Sequence, residues 1–222
     1  MSAPPTRAYT NDRCATTQTT DSPQDPLEVT GPHEEDEQDA IQGHVTTRPE
    51  RDLAVTHWLL GAAKDRDQVR AQWEELGGIA LLPCGGLFSA VRVPANLVWA
   101  AAGAQDLENV DVYLTNWFDG GAVFMDLHAL LYYFLVPSST AWRWPEREFP
   151  GVSCLGRNTY LGVPAVQLTQ PKGSAYWCLP MDSAGDLCYV DEVEQLIKAG
   201  RANRTTQSPP TLRSASRSPR RT

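Results

Sequence analysis

The sequence predicts an α+β domain, a mixed or antiparallel sheet flanked by helices, set between two disordered tails. Three observations predict it. Within residues 51–200, apolar residues recur first at helical spacing and then in short β-branched and aromatic runs, with few regular β-α-β alternations. Hydrophobic residues are 41% of the 222, enough for one core, and no segment approaches the ~20 apolar residues of a membrane span. Charge divides the chain into an acidic tail (1–50, net −7), a domain (51–200, net −7) and a basic tail (201–222, net +6), for −8 in all.

Asp52 to Ala63 reads as the first helix, since Leu53, Trp58, Leu59 and Ala62 recur at roughly helical spacing behind Asp52, a capping residue type. A second helix, Asp67 to Leu76, places Val69, Trp73 and Leu76 on one face and stops at Gly77-Gly78. Strands follow at Ile79–Leu82 and Phe88–Val93. Between them lies the Gly85-Gly86 turn of PCGGLFSAVRVP, in which Val91 and Val93 are alternate apolar positions. Pro94 fits the first turn of a helix through Asn96, Leu97, Val98 and Trp99 that Gly103 ends. The rest reads mostly as strands, at Ala122–Leu127, Leu130–Val136, Val152–Leu155, Thr159–Val163 and Ala175–Leu179, with a closing helix from Asp191 to Ala199.

The first tail is poor in apolar residues and rich in Pro, Thr, Gln and Glu, so it cannot bury enough surface to offset chain entropy. The last, RANRTTQSPPTLRSASRSPRRT, holds six arginines and no acid. Such a tail gives a weak, salt-sensitive and nonspecific attraction to nucleic acid, or simply solubilises the chain and rests on the acidic segment. Its Ser-Pro and Arg-x-x-Ser-like pieces are weak phosphorylation signals. The first residues lack the apolar region of a secretory signal, and no membrane association is expected. Five cysteines, Cys14, Cys84, Cys154, Cys178 and Cys188, form an odd set without a C-x-x-C pair, which fits reduced thiols in a cytoplasmic protein. A zinc site drawn from Cys84, Cys154, Cys178, Cys188 or His128 would require ligands to converge from distant positions.

No P-loop, H-E-x-x-H, G-x-S-x-G or G-x-G-x-x-G occurs, which removes the most readable enzyme classes. Of the seven tryptophans, Trp58, Trp73 and Trp99 lie on helix faces, where core packing is the default. Trp142, Trp144 and Phe149 instead share the loop AWRWPEREFP with Arg143 and Arg147, which suits a stacked base or a protein partner. Glu146 and Glu148 in the same stretch favour the protein partner. Arg143 and Trp144 are expected to form this exposed contact loop.

The order of features from Asp67 to Trp177 resembles the prim-pol domain, the N-terminal domain of bifunctional DNA primase/polymerases. A helix carrying Trp73 near its end is followed by IALLPCGG and LFSAVRVP. Next comes LLYYFLVP from Leu130 to Pro137, then CLGRNTYLGVP and AYWCLP, in which Gly156, Tyr160, Pro164, Tyr176 and Trp177 match best. The similarity covers about half of the chain. Gly156 and Tyr160 are read as structural, a turn residue and a sheet aromatic.

The resemblance implies an Asp-x-Asp pair, holding divalent metals, on the strand after the glycine turn. This chain has Val91 and Val93 there, which cannot supply oxygen ligands to magnesium, and Arg92 between them has the wrong sign. The family's histidine falls on Leu131 when the YYF residues are aligned, three positions past His128, and the family's opening β-α unit is missing. Asp126 and His128 would share one strand face, with Asp111 or Asp119 approaching, and form the one low-ranking catalytic alternative.

Three readings follow. The first is a catalytically inactive prim-pol-like module, without cofactor, that binds DNA or a replication or mobile-element protein. The second is an active primase/polymerase using magnesium or manganese at a relocated site. The third is a protein-interaction domain unrelated to nucleic acid, favoured by the net −7 of residues 51–200. On the first reading, Arg92 and Arg157 border the former catalytic cleft.

Overall fold

A computed structural model describes residues 47–207 apart from Leu76. The expectations for residues 1–46 and 208–222, Cys14 among them, lie outside the described residues. The fold is α+β. No helix among the described residues is long and apolar enough to cross a membrane.

Helix α1 (Arg48–Leu60) begins four residues before the expected Asp52 start of the domain's first helix, with Thr47 as its N-cap. The cause is local: Pro49 fits the first turn, and the Glu50 carboxylate accepts from the Thr47 N–H and hydroxyl, both at 2.8 Å. Helix α2 (Arg66–Glu74) starts one residue before the expected Asp67 because the Asp65 carboxylate caps it, accepting from the N–H groups of Asp67 and Gln68 at 3.1 and 3.0 Å. The seven strands among the described residues are β1 (Ile79–Pro83), β2 (Phe88–Pro94), β3 (Ala122–Asp126), β4 (Leu131–Pro137), β5 (Ser153–Leu155), β6 (Tyr160–Pro164) and β7 (Ala175–Leu179). Pro94 caps helix α3 (Ala95–Ala102), and Gly103 ends it at φ 65°.

Helix α4 (Leu107–Trp117) has no counterpart among the expected elements. Asp106 caps it through the Asn109 N–H, and Val110 and Leu114 are its buried stripe. The closing helix α5 (Val190–Gln207) runs well past Ala199. Gly200 reads as a stop but is a contact residue, because a Cβ there would collide with the Leu97 carbonyl of α3. Arg201 and Arg204, assigned to the basic tail by charge, are therefore helical.

The strands form two antiparallel sheets instead of the single sheet expected. Five strands run in the order β5-β2-β4-β3-β7, and β1 pairs with β6 in a separate ribbon. One face of the larger sheet, with Val91, Val93, Met125, Tyr132, Phe134 and Tyr176, packs on α3, α4 and α5. The other, with Phe88, Ala90, Phe124, Leu135 and Trp177, packs on α1, α2 and the ribbon. The Leu81 N–H of β1 donates to the Gln72 side chain of α2 at 3.0 Å, and Pro83 has no N–H to offer.

Candidate functional site: a cationic and aromatic groove

Strand β2 settles the geometry of Val91 and Val93. Both are fully buried against the helical layer, so neither faces a cleft, and a carboxylate at either place would meet apolar side chains. The other face of β2 carries Ala90 and exposed Arg92, which pairs in register with Tyr133 and Ser153. Burial pushes the Tyr133 phenol up, Asp126 adds to that, and the nearby Arg92 charge opposes it. No residue of β2 is a carboxylate.

Asp126 and His128 do not form a metal pair. The Asp126 Oδ1 accepts from the backbone N–H of His128 at 2.9 Å and of Ala129 at 2.8 Å, closing the turn between β3 and β4, and the His128 side chain is exposed. Asp111 is held on the helix-covered face, where it accepts from the Tyr176 hydroxyl at 3.0 Å. Asp119 instead neighbours Glu192, whose carboxyl is raised by burial while a hydrogen bond from the Asp119 backbone opposes the shift. Among the described residues, no three His, Cys, Asp or Glu side chains converge on a metal position. The thiols expected as possible zinc ligands form no group of three with one another or with His, Asp or Glu among the described residues, and burial pushes Cys154 and Cys188 up to about 12 and raises Cys84 and Cys178, which keeps them protonated at neutral pH. The residues present do not fit the divalent metals that the prim-pol resemblance implies.

The contact loop differs from expectation at one residue. A short 3-10 helix, Ser138–Trp142, ends with Trp142 pointing outward at 74% exposure. The chain then turns at Arg143 and carries Trp144 inward, so Trp144 is buried, its ring 5.4 Å from that of Phe149. Arg143 is exposed as expected. The exposed tryptophan of the loop is Trp142, and Trp144 belongs to the core.

Arg157 and Arg92 do not meet in one cleft. Arg157 packs against Gly85, ahead of β2, whereas Arg92 lies near the far end of that strand. Gly85 has φ 82°, and a Cβ there would collide with the Arg157 backbone, so glycine is required on both counts. The Cys84 N–H donates to the Thr159 carbonyl at 2.9 Å, tying the glycine turn to the loop before β6. Between them opens a groove of about 650 Å³ lined by Gly61, Lys64, Gly85, Gly86, Arg157 and Tyr160. It adjoins a second hollow of about 330 Å³ that shares Lys64 and Tyr160 and adds Asp65, Gln72 and Leu81.

Lys64 and Arg157 are the cations of this groove, and neither is paired with a carboxylate among the described residues. Asp65 is engaged by its helix cap. The Arg157 guanidinium lies 5.6 Å from the centroid of the Trp142 ring. Tyr160, read from sequence as a sheet aromatic, does lie in β6 but faces outward at 57% exposure. The Gly85-Gly86 turn and Arg157 were visible in the sequence. Lys64 and Tyr160 carried no functional signal, because their roles depend on β1 pairing with β6.

The fold and groove define a class: an α+β protein with two antiparallel sheets and an open cationic and aromatic groove at a glycine turn. Comparison of this chain with protein-family models, curated proteins and solved structures finds no match.

Proposed function

We propose that this chain is a prim-pol-like binding module that holds nucleic acid without nucleotidyl transfer, in the setting of replication or a mobile element. One contrast carries the reading: the positions that should hold metals are buried valines, while Lys64 and Arg157, without carboxylate partners among the described residues, and exposed Tyr160 line the groove at the glycine turn, with exposed Trp142 beside Arg157. Magnesium-dependent phosphoryl transfer needs oxygen ligands to place the metals and offset charge in the transition state. Cationic and aromatic side chains without such ligands suit the binding of a phosphate backbone and stacked bases. The cysteine pattern supports a cytoplasmic setting.

The test combines primer-extension and de novo priming assays, in magnesium or manganese, with a DNA-binding measurement. The expected result is no synthesis together with binding that weakens steeply with salt. Synthesis that is lost in an Asp126→Ala, His128→Ala double variant would overturn this reading in favour of a relocated active site. A second reading, a protein-interaction domain, is favoured by the net −7 of residues 51–200. It takes precedence if neither DNA nor RNA binds at low salt.

A further inference from the structure

We propose that the groove at the Gly85-Gly86 turn is a seat for single-stranded nucleic acid, with a backbone phosphate between Lys64 and Arg157 and unpaired bases against Tyr160 and Trp142. This rests on the nucleic-acid reading above and assigns it a place and a strand state.

The domain as a whole repels a polyanion, so a binding surface must be locally positive. The groove and its adjoining hollow contain three charged side chains: Lys64, Arg157 and Asp65. The Asp65 carboxylate already accepts two backbone N–H groups of α2, and no carboxylate among the described residues pairs with either cation. Gly86 presents no side chain to the groove, so a phosphate can approach the backbone there.

The aromatics decide the strand state. Tyr160 is 57% exposed and lines both hollows, and Trp142 is 74% exposed with Arg157 beside its ring. In a duplex the bases are already stacked on one another, whereas a single strand offers free faces to such side chains. The combined space, about 650 and 330 Å³, suits a short stretch of nucleotides; it would be generous for a lone phosphate.

The experiment measures fluorescence anisotropy of the full chain with labelled oligothymidylate, about a dozen nucleotides long, and with a duplex of equal length. The single strand is expected to bind about tenfold tighter than the duplex, and Tyr160→Ala and Trp142→Ala are each expected to lose about tenfold on the single strand. Lys64→Gln and Arg157→Gln should each reduce the slope of log affinity against log salt by about 1. All four are checked for native circular dichroism; both aromatic positions are exposed, so those variants test the seat even if Arg157→Gln misfolds. Duplex binding as tight as single-strand binding, or folded aromatic variants that bind like the wild type, would overturn the seat and leave the broader reading standing. No binding of single-stranded DNA, duplex or RNA would overturn both.

Discussion

Asp111 links the buried polar interior to pH. Burial, reinforced by Asp106 and Glu108, pushes its carboxyl up to about 6, while hydrogen bonds from Tyr176 and Cys178 pull the other way. In the unfolded chain an aspartate titrates at about 3.9, so between about pH 4 and about pH 6 the unfolded state loses its proton first. The native state therefore loses stability as pH rises through that window, and the contribution of neutral Asp111 is complete only below it. Asp111→Asn stays neutral and keeps an acceptor for Tyr176. Its stability relative to wild type should rise by about 1 kcal/mol across the window, a figure held well below the full shift because the carboxyl is only half-buried. Urea titrations on either side of the window check this, and a constant gap would refute it. Trp144 gives a second test at this scale, because its indole N–H has no acceptor while its ring packs on Phe149. Trp144→Phe should stay within about 1 kcal/mol of wild type, whereas Trp144→Ala should cost about 3–5 kcal/mol by equilibrium unfolding.

Among the elements, α5 is the one whose length matters most. Its Arg201 donates to the carbonyls of Glu148 and Pro150 at 2.7 and 3.0 Å and lies over the Phe149 ring, and Asn203 donates to the Ala100 carbonyl at 2.9 Å. A chain ending at Gly200 loses all of these. It should be less stable than one ending at Gln207 by about 2–3 kcal/mol, read from urea midpoints, since each hydrogen bond from a charged donor contributes at most about 1.5–3 kcal/mol and solvent weakens the two exposed Arg201 bonds. Gly200→Ala probes the same crossing. Alanine favours a helix by about 1 kcal/mol over glycine, but its methyl would strike the Leu97 carbonyl, so a net destabilisation of about 1–3 kcal/mol is expected in thermal unfolding. A stabilised variant would show that α3 and α5 separate easily.

Over the whole molecule, legibility followed the range of the forces involved. Six of the seven strands among the described residues could be read because each is a short run with β-branched or aromatic residues set off by glycine, proline or a polar turn, as Ile79–Pro83 is by Gly78 and Cys84-Gly85, while β5 (Ser153–Leu155) was legible only through Val152 just before it. Helix α4 was missed because Val110, Val112 and Tyr113 give it the composition of a strand, although Asp106 as a cap and Leu107, Val110 and Leu114 at helical spacing are local signs of a helix. The division into two sheets was hidden as well: β1 finds β6 across about half of the domain, and no local pattern encodes such a partner. The same distance concealed the groove, whose Lys64 comes from the segment after α1 and whose Tyr160 comes from β6. Trp144 departs from its expected exposed role while Trp142 stays outward, because side-chain direction in a 3-10 turn and the irregular loop after it follows no period.

The hydrogen bond from Leu81 to Gln72, with Pro83 two residues on, has a consequence for how this protein behaves in a crowd. An outermost strand ordinarily invites another chain to continue the ladder, the first step toward fibres. Along β1 one outward donor is occupied by a side chain and another is missing, and so recruitment of a second copy along that edge stops before it starts.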